Sequence, residues 1–175
     1  GKLKKTMLKG EDKGIVDRVK ISASQEQSSY EKLDVTLRFN RNPIIGDKFS
    51  SRHGQKGVLS YLWPEEDLPF IERNGIKPDI IINPHAFPSR MTIGMLMESL
   101  ASKEGALSGN FVDASPFKAL KEEHLTIPLN NHYERLKDMG YKFTGTETMI
   151  NGFTGCTFEV DIFIGLVYYQ RLRHM

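Results

Sequence analysis

Residues 46–57 of the chain read GDKFSSRHGQKG, and residues 83–91 read NPHAFPSRM. The first stretch places basic side chains among glycines, and the second places a histidine and an arginine between two prolines. Glycine-rich backbone lets a charged ligand approach the peptide closely, which suits a polyphosphate or a nucleic-acid backbone. The loop is not a P-loop, because Lys56 is followed by Gly57 and not by Ser or Thr.

Length and composition predict one folded domain, or one and a fraction. The chain has 175 residues, with 24 Lys and Arg against 22 Asp and Glu, so its net charge is only +2. Its single cysteine, Cys156, excludes an internal disulfide and fits a reducing compartment. No apolar run approaches the roughly 18 residues of a membrane span, so we expect no membrane partner. Because the chain begins at Gly1 without a methionine, we expect a fragment of a larger protein.

Charge is spread unevenly along the chain. Residues 38–57 hold five lysines and arginines against one acid, Asp47, whereas residues 65–72 hold four acids and no base. Either run could simply be charged surface in contact with solvent, without a ligand. The basic run is interleaved with Gly and Ser, which favours a ligand-binding loop because a solvated face does not need approachable backbone.

The region before residue 46 predicts two β-strands. Apolar residues recur with period two, first from Ile15 to Ile21 and then from Leu33 to Phe39. The polar stretch at residues 22–30 between them predicts a hairpin turn or a long loop. This region is therefore rich in strands.

Helices and further strands are predicted later in the chain. Residues 79–83 predict a short buried strand, and residues 157–172 predict one long strand. A helix with Ser89 as its N-cap is predicted to end near Gly105, and a second helix at residues 133–139 ends at the following glycine. The apolar positions of the first helix are Ile93, Leu96, Met97, Leu100 and Ala101, and Met91 and Met95 are expected in the core beside them. The fold class is mixed α+β.

Three cations are the candidates for binding an anion. Lys48 and Lys56 can reach one ligand from two sides if the glycine-bounded loop folds back. Arg90 is predicted at a helix N-terminus, where its guanidinium and the free amides would share an anion. The alternative for Arg90 is an ordinary ion pair with Asp79 or Glu98.

The sequence does not favour a metal site or a nucleophilic triad. No histidine pair has the His-x-x-x-His spacing of a zinc site, and no Gly-x-Ser-x-Gly elbow occurs. His53 and His85 lie in the two opening motifs, whereas His124 and His132 lie on polar stretches and are predicted to be exposed. We expect no metal ligands in this chain.

Four blocks of the chain resemble, in the right order, the signature of the second-largest subunit of multisubunit DNA-directed RNA polymerases. The blocks are residues 46–57, 78–91, 113–117 and 168–175. The first 45 residues resemble the same region more loosely, at residues 14–19 and 43–45. Among the eukaryotic classes, residues 86–93, 95–100 and 109–114 resemble RNA polymerase I most.

The resemblance implies a fold and a role. Residues 1–45 would lead in from the wall region, and residues 46–175 would be part of a hybrid-binding domain built on a double-psi β-barrel, which this chain would hold incompletely. Lys48 and Lys56 would lie by the RNA 3′ end and the incoming nucleotide, and Arg90 would contact the triphosphate. Further nucleic-acid contacts are expected from Arg52, His53, Gln170, Arg171 and His174.

The resemblance also implies partners and a cofactor. The largest subunit would hold most of the Mg²⁺ ligands, and further polymerase subunits, a DNA template, the RNA transcript and nucleoside triphosphates would be partners. The complex would synthesise ribosomal RNA in the nucleolus of the nucleus. The fragment alone would be inactive. Two alternatives stay open for the isolated chain: a non-catalytic nucleic-acid-binding module and an inert structural fragment.

Overall fold

A computed structural model defines the fold. It describes residues 7, 13–22, 32–115 and 129–173. The chain divides into two compact units, Gly1–Pro43 and Ile44–Met175, which are described one at a time. Their assignment to a wall region and a hybrid-binding domain stays a prediction. In the described ranges, no helix is both long enough and apolar enough to cross a membrane.

The described part of the first unit is an antiparallel hairpin. β1 spans Ile15–Ser22 and β2 spans Lys32–Arg38, which confirms the two strands that the period-two pattern predicts. The residues that link them lie outside the described ranges. A β-bulge between Val16 and Arg18 shifts the register, and Val16 stays on the same face as Val19 and Ile21 as a result. The cross-strand pairs on that face are Val16–Leu37, Val19–Val35 and Ile21–Leu33.

The second unit contains several small sheets. Its strands are β3 (Lys48–Ser51), β4 (Lys56–Val58), β5 (Phe70–Ile71), β6 (Thr146–Glu147), β7 (Met149–Ile150), β8 (Ile162–Phe163) and β9 (Tyr169–Leu172). The central sheet is antiparallel and has the order β4-β3-β9, while β5 pairs with β7 and β6 with β8. The mixed α+β prediction is confirmed. The described strands close no barrel, so the double-psi β-barrel is not confirmed.

Three α-helices accompany these sheets in the described residues. They are α1 (Ala86–Arg90), α2 (Ile93–Ser108) and α3 (Leu129–Asp138). α2 ends where Gly109 adopts φ +70°, and Gly140, with φ +78°, follows the end of α3 as predicted. Glycine adopts this left-handed conformation without the strain that a Cβ would cause. Both predicted helices are confirmed, although each begins at a different residue from the one expected.

The core draws its buried side chains from β5, β7, α2 and α3, and α2 packs against α3. Its buried apolar side chains are Ile71, Met95, Leu100, Leu136 and Met149. The expectation that Met91 and Met97 belong to the core is wrong, since they are 77% and 40% exposed. The buried side of α2 instead includes Ser99 and Glu104, which find hydrogen-bond partners inside the fold.

Three local predictions are wrong. Residues 79–83 form no strand, and their three isoleucines are exposed, because no described strand lies beside them to pair with their backbone. The long strand predicted for residues 157–172 is broken into β8 and β9, which belong to different sheets. Between them, the chain passes against α2 at Gly165. Ser89 is not an N-cap, since it lies inside α1 and Thr92 precedes α2.

Candidate functional site

Lys48 and Lys56 lie on the same face of the central sheet. β3 and β4 pair with Lys48 opposite Val58 and Ser50 opposite Lys56. Residues two apart along a strand share a face, so the two lysines are diagonal neighbours with Cβ atoms roughly 7–8 Å apart. Gln170 of β9 lies opposite Ser50 and therefore on this face as well. The fold thus brings two cations of one hairpin onto the same face as an amide from the far end of the chain.

The two lysines have no partner among the residues that the structure describes. Within the described residues, neither ammonium group has a hydrogen bond or an ion pair. Arg171, by contrast, lies on the opposite face beside Phe49, and its Nη2 is 2.6 Å from Oδ2 of Asp47. The structure therefore places Arg171 and Gln170, which were both predicted to contact nucleic acid, on opposite faces of the sheet. His174 and His124 lie outside the described residues.

Glu98 of α2 binds the loop between β3 and β4. Its Oε1 accepts a hydrogen bond from Arg52 Nη2, and its Oε2 is 2.5 Å from His53 Nε2. The Arg52 guanidinium also lies over the ring of Tyr168, 4.9 Å from its centroid. The predicted nucleic-acid ligands Arg52 and His53 are thus engaged with a carboxylate inside the protein. The alternative that Glu98 pairs with Arg90 is wrong.

The chain between β8 and β9 completes the environment of Glu98. A Cβ on Gly165 would lie 2.4 Å from the carbonyl oxygen of Ser99, so only glycine permits this approach to α2. Three residues after Gly165, the backbone N–H of Tyr168 donates to Oε1 of Glu98 at 3.1 Å. Burial by itself would raise the pKa of Glu98, but hydrogen bonds from Arg52, Tyr168 and His53 outweigh it and lower that pKa.

Arg90 is the last residue of α1, so its predicted place at a helix N-terminus is wrong. Met91 follows it with φ +52°, a left-handed conformation that interrupts the helix before α2 begins. The Arg90 Nη1 donates to Oε1 of Gln55 at 2.9 Å. Neither Asp79 nor Glu98 is its partner, so the ion-pair alternative is wrong too. Gln55 therefore joins the two motifs that open the sequence analysis.

Sequence reasoning missed three residues of this site: Gln55, Glu98 as the partner of the β3–β4 loop, and Tyr168. Gln55 lies between Gly54 and Lys56 in the basic loop. A neutral amide among basic residues adds no charge to an anion site, and this was the one hint in the sequence that Gln55 holds another side chain. Glu98 and Tyr168 offered no signal of their own, because their partners are 45 or more residues away.

A second carboxylate cluster lies further along α2. Glu104 is buried, with its Oε2 at 2.7 Å from His132 Nδ1 and its Oε1 at 3.6 Å from Arg135 Nη1. Burial would raise the pKa of Glu104, but the hydrogen bond and charge of His132, with further help from Ser108 and Arg135, lower it. The prediction that His132 is exposed is wrong, because α3 turns this side chain towards α2.

Metal binding finds no support in the part of the chain that the structure describes. In those ranges, no three side chains of His, Cys, Asp or Glu come together as possible ligands. The carboxylates nearest the lysine face, Asp47 and Glu98, are both bound to cations of the protein.

Comparison with known proteins identifies relatives of the chain. Residues 1–175 match the family model described as RNA polymerase Rpb2, domain 6. The chain is 53% identical over 172 residues to DNA-directed RNA polymerase I subunit rpa2 of Dictyostelium discoideum, a match that covers 95% of this chain and 15% of that protein. The chain is also 53% identical over 168 residues to DNA-directed RNA polymerase I subunit RPA2 of Homo sapiens, a match that covers 95% of this chain and 14% of that protein. The chain therefore spans about a seventh of the length of these relatives.

Proposed function

Because the chain belongs to the family of RNA polymerase Rpb2, domain 6, we propose that it is a segment of the second subunit of RNA polymerase I. In this role, Lys48, Lys56 and Arg90 are cationic clamps on the RNA 3′ end and the incoming nucleoside triphosphate. They assist template-directed nucleotidyl transfer by the complete polymerase. The names of the relatives and the four sequence blocks support this assignment.

The unpaired state of Lys48 and Lys56 is the observation that carries the proposal. Arg52 and Arg171 are each bound to a carboxylate, whereas no described group neutralises the two lysines on their shared face. Two ammonium groups on one face, with no partner among the described residues, suit a ligand that brings negative charge. Phosphoryl transfer depends on positioning and on neutralising charge that develops on the leaving pyrophosphate.

The same proposal includes the partners and the compartment. The lysine face, with Gln170, would contact the RNA transcript and its hybrid with the DNA template, and the largest subunit and other polymerase subunits would surround it. The product would be ribosomal RNA, made in the nucleus and in its nucleolus. Mg²⁺ is assigned to the largest subunit, and none of the roles given to this chain depends on a metal bound by it.

The test is nucleotide addition by polymerase assembled with variant subunits. We expect Lys56→Ala and Arg90→Ala each to slow addition by roughly ten- to a thousandfold, which is about 1–4 kcal/mol in the transition state. Lys137→Ala is the matched control, because this α3 lysine is exposed and also unpaired among the described residues. Wild-type rates in both Lys56→Ala and Arg90→Ala would refute the proposed function.

A further inference from the structure

We propose that Gln55 is a positioning residue that orients the Arg90 guanidinium while leaving its charge intact. The inference rests on the proposed function of Arg90 and deepens it. It concerns why a neutral amide, and not a carboxylate, holds this arginine.

Gln55 is held at both ends of its amide. The side chain is buried, at 6% exposed. Its Oε1 accepts from Arg90 Nη1, and its Nε2 donates to Oγ1 of Thr92 and lies 3.5 Å from the carbonyl oxygen of Ala86. A flipped amide would turn its NH₂ group towards the guanidinium, donor against donor. The hydrogen bonds therefore permit one orientation, and that orientation presents an oxygen to Arg90.

The same contacts fix the backbone on either side of Arg90. Ala86 begins α1, which Arg90 ends, and Thr92 follows the left-handed Met91. The Met91 N–H donates to the carbonyl oxygen of Phe87 at 2.8 Å. Gln55 thus bridges both ends of the short α1 helix and the residue that precedes α2, so the base of the Arg90 side chain is held as well as its tip.

A neutral partner has a different consequence from a charged one. Arg52 and Arg171 hydrogen-bond to carboxylates, which cancel most of their positive charge. Arg90 has no carboxylate partner among the described residues, and one of its five N–H donors is used by Gln55. The remaining donors and the full charge are available to an anion such as a triphosphate.

Gln55→Glu is the sharpest test, because it keeps the shape and replaces the neutral acceptor with a carboxylate. Thr92 can donate its hydroxyl hydrogen to that carboxylate, so the fold is expected to tolerate the change. The new ion pair would compete with the nucleotide for Arg90. In single-nucleotide addition by the assembled polymerase, we expect the apparent Kd for the nucleoside triphosphate to rise about tenfold, with a smaller fall in the maximal rate.

A double-mutant cycle separates positioning of Arg90 from a general structural role. In an Arg90→Ala background, Gln55→Glu should leave the apparent Kd unchanged, because the contact through which Gln55 is proposed to act has been removed. Thr92→Val, which deletes the hydroxyl that orients Gln55, should raise the Kd in the same direction by a smaller factor. An unchanged Kd in Gln55→Glu, or an equal increase in the Arg90→Ala background, would overturn the positioning role.

The two proposals fail in different ways. If Arg90→Ala alone adds nucleotides at the wild-type rate and Kd, the proposed function of Arg90 is wrong. If Arg90→Ala is impaired but Gln55→Glu behaves as wild type, the proposed function stands and only the positioning role of Gln55 is wrong.

Discussion

Helix α2 carries two glutamates with the same kinds of partner and different tasks. Glu98 binds Arg52 and His53, and Glu104 binds His132 and Arg135. They are six residues apart, so at 100° per residue they point about 120° apart around the helix. Glu98 therefore faces the β3–β4 loop, whereas Glu104 faces α3.

The two clusters also differ in how completely they are satisfied. Both oxygens of Glu98 have hydrogen-bond partners, including the Tyr168 N–H. Glu104 is more deeply buried, and its Oε1 makes no hydrogen bond, with only the Arg135 charge 3.6 Å away. From this we infer that Glu98 holds the β3–β4 loop against α2, whereas Glu104 holds α2 and α3 together. The same residue types thus acquire different roles from their surroundings.

The largest expected effect is on stability, from Glu104→Ala. Removing this carboxylate leaves the half-buried His132 and the Arg135 charge without their partner, and we expect the free energy of unfolding to fall by about 3 kcal/mol. Urea denaturation of the full chain, followed by circular dichroism, measures it. Glu98→Ala is the comparison and should cost less, because Arg52 is 61% exposed and water can solvate it. An equal or larger loss in Glu98→Ala would contradict the division of roles.

A smaller effect is expected on activity, from Glu98→Gln. The amide keeps the size of the side chain but weakens the hold on Arg52 and His53, so the β3–β4 loop that leads into Lys56 becomes less well positioned. We expect nucleotide addition by the assembled polymerase to slow about tenfold, or roughly 1.4 kcal/mol. The matched control is Glu104→Gln on the same helix, which should stay within about twofold of the wild-type rate. Equal slowing in both variants would show that the two clusters do not differ in function.

The smallest expected effect is a change of stability with pH. The pKa values of Glu98 and Glu104 are lowered in the folded chain below their ordinary value of 4.5. As pH falls below that value, the unfolded chain takes up these protons first, so stability is full above it and declines as pH drops through the folded pKa values. The melting temperature of the full chain should therefore decrease in acid. Asp161, whose pKa is lowered by its hydrogen bond to Lys142, contributes in the same direction.

The variants Glu98→Gln and Glu104→Gln test whether these two carboxylates cause the loss of stability in acid. Glu104→Gln and Glu98→Gln should each flatten the dependence of the melting temperature on pH, because each removes one titrating group. A curve with the wild-type slope in both variants would mean that other carboxylates dominate the acid response.

Much of the local structure was predictable from the sequence. The alternation at Ile15–Ile21 predicts β1, the stripe around Leu100 predicts α2, and Gly140 predicts the end of α3, because each pattern depends on near neighbours in the chain. The basic loop was recognisable from its composition, and four blocks in order were enough to identify the family. The cationic candidates Lys48 and Lys56 follow from those blocks.

The errors share a physical cause. The isoleucines at 80–82 predict a buried strand, but burial requires a neighbouring strand that the described fold does not supply. Arg90 was placed at a helix N-terminus because the sequence alone does not reveal that Met91 adopts a left-handed conformation and separates α1 from α2. His132 was expected in solvent because its partner, Glu104, lies 28 residues away.

The sequence by itself determined the family, the α+β class and the two motifs whose cations are proposed to act together. Only the tertiary structure decided which cations find a carboxylate among the described residues. The register of β3 and β4 places Lys48 and Lys56 on one face, and the fold pairs Arg52 with Glu98 and Arg171 with Asp47. The reason is that charge pairing depends on distances of a few ångströms between residues far apart in the chain. Local patterns carry no information about those distances, so the difference between a neutralised arginine and an available lysine exists only in the folded molecule.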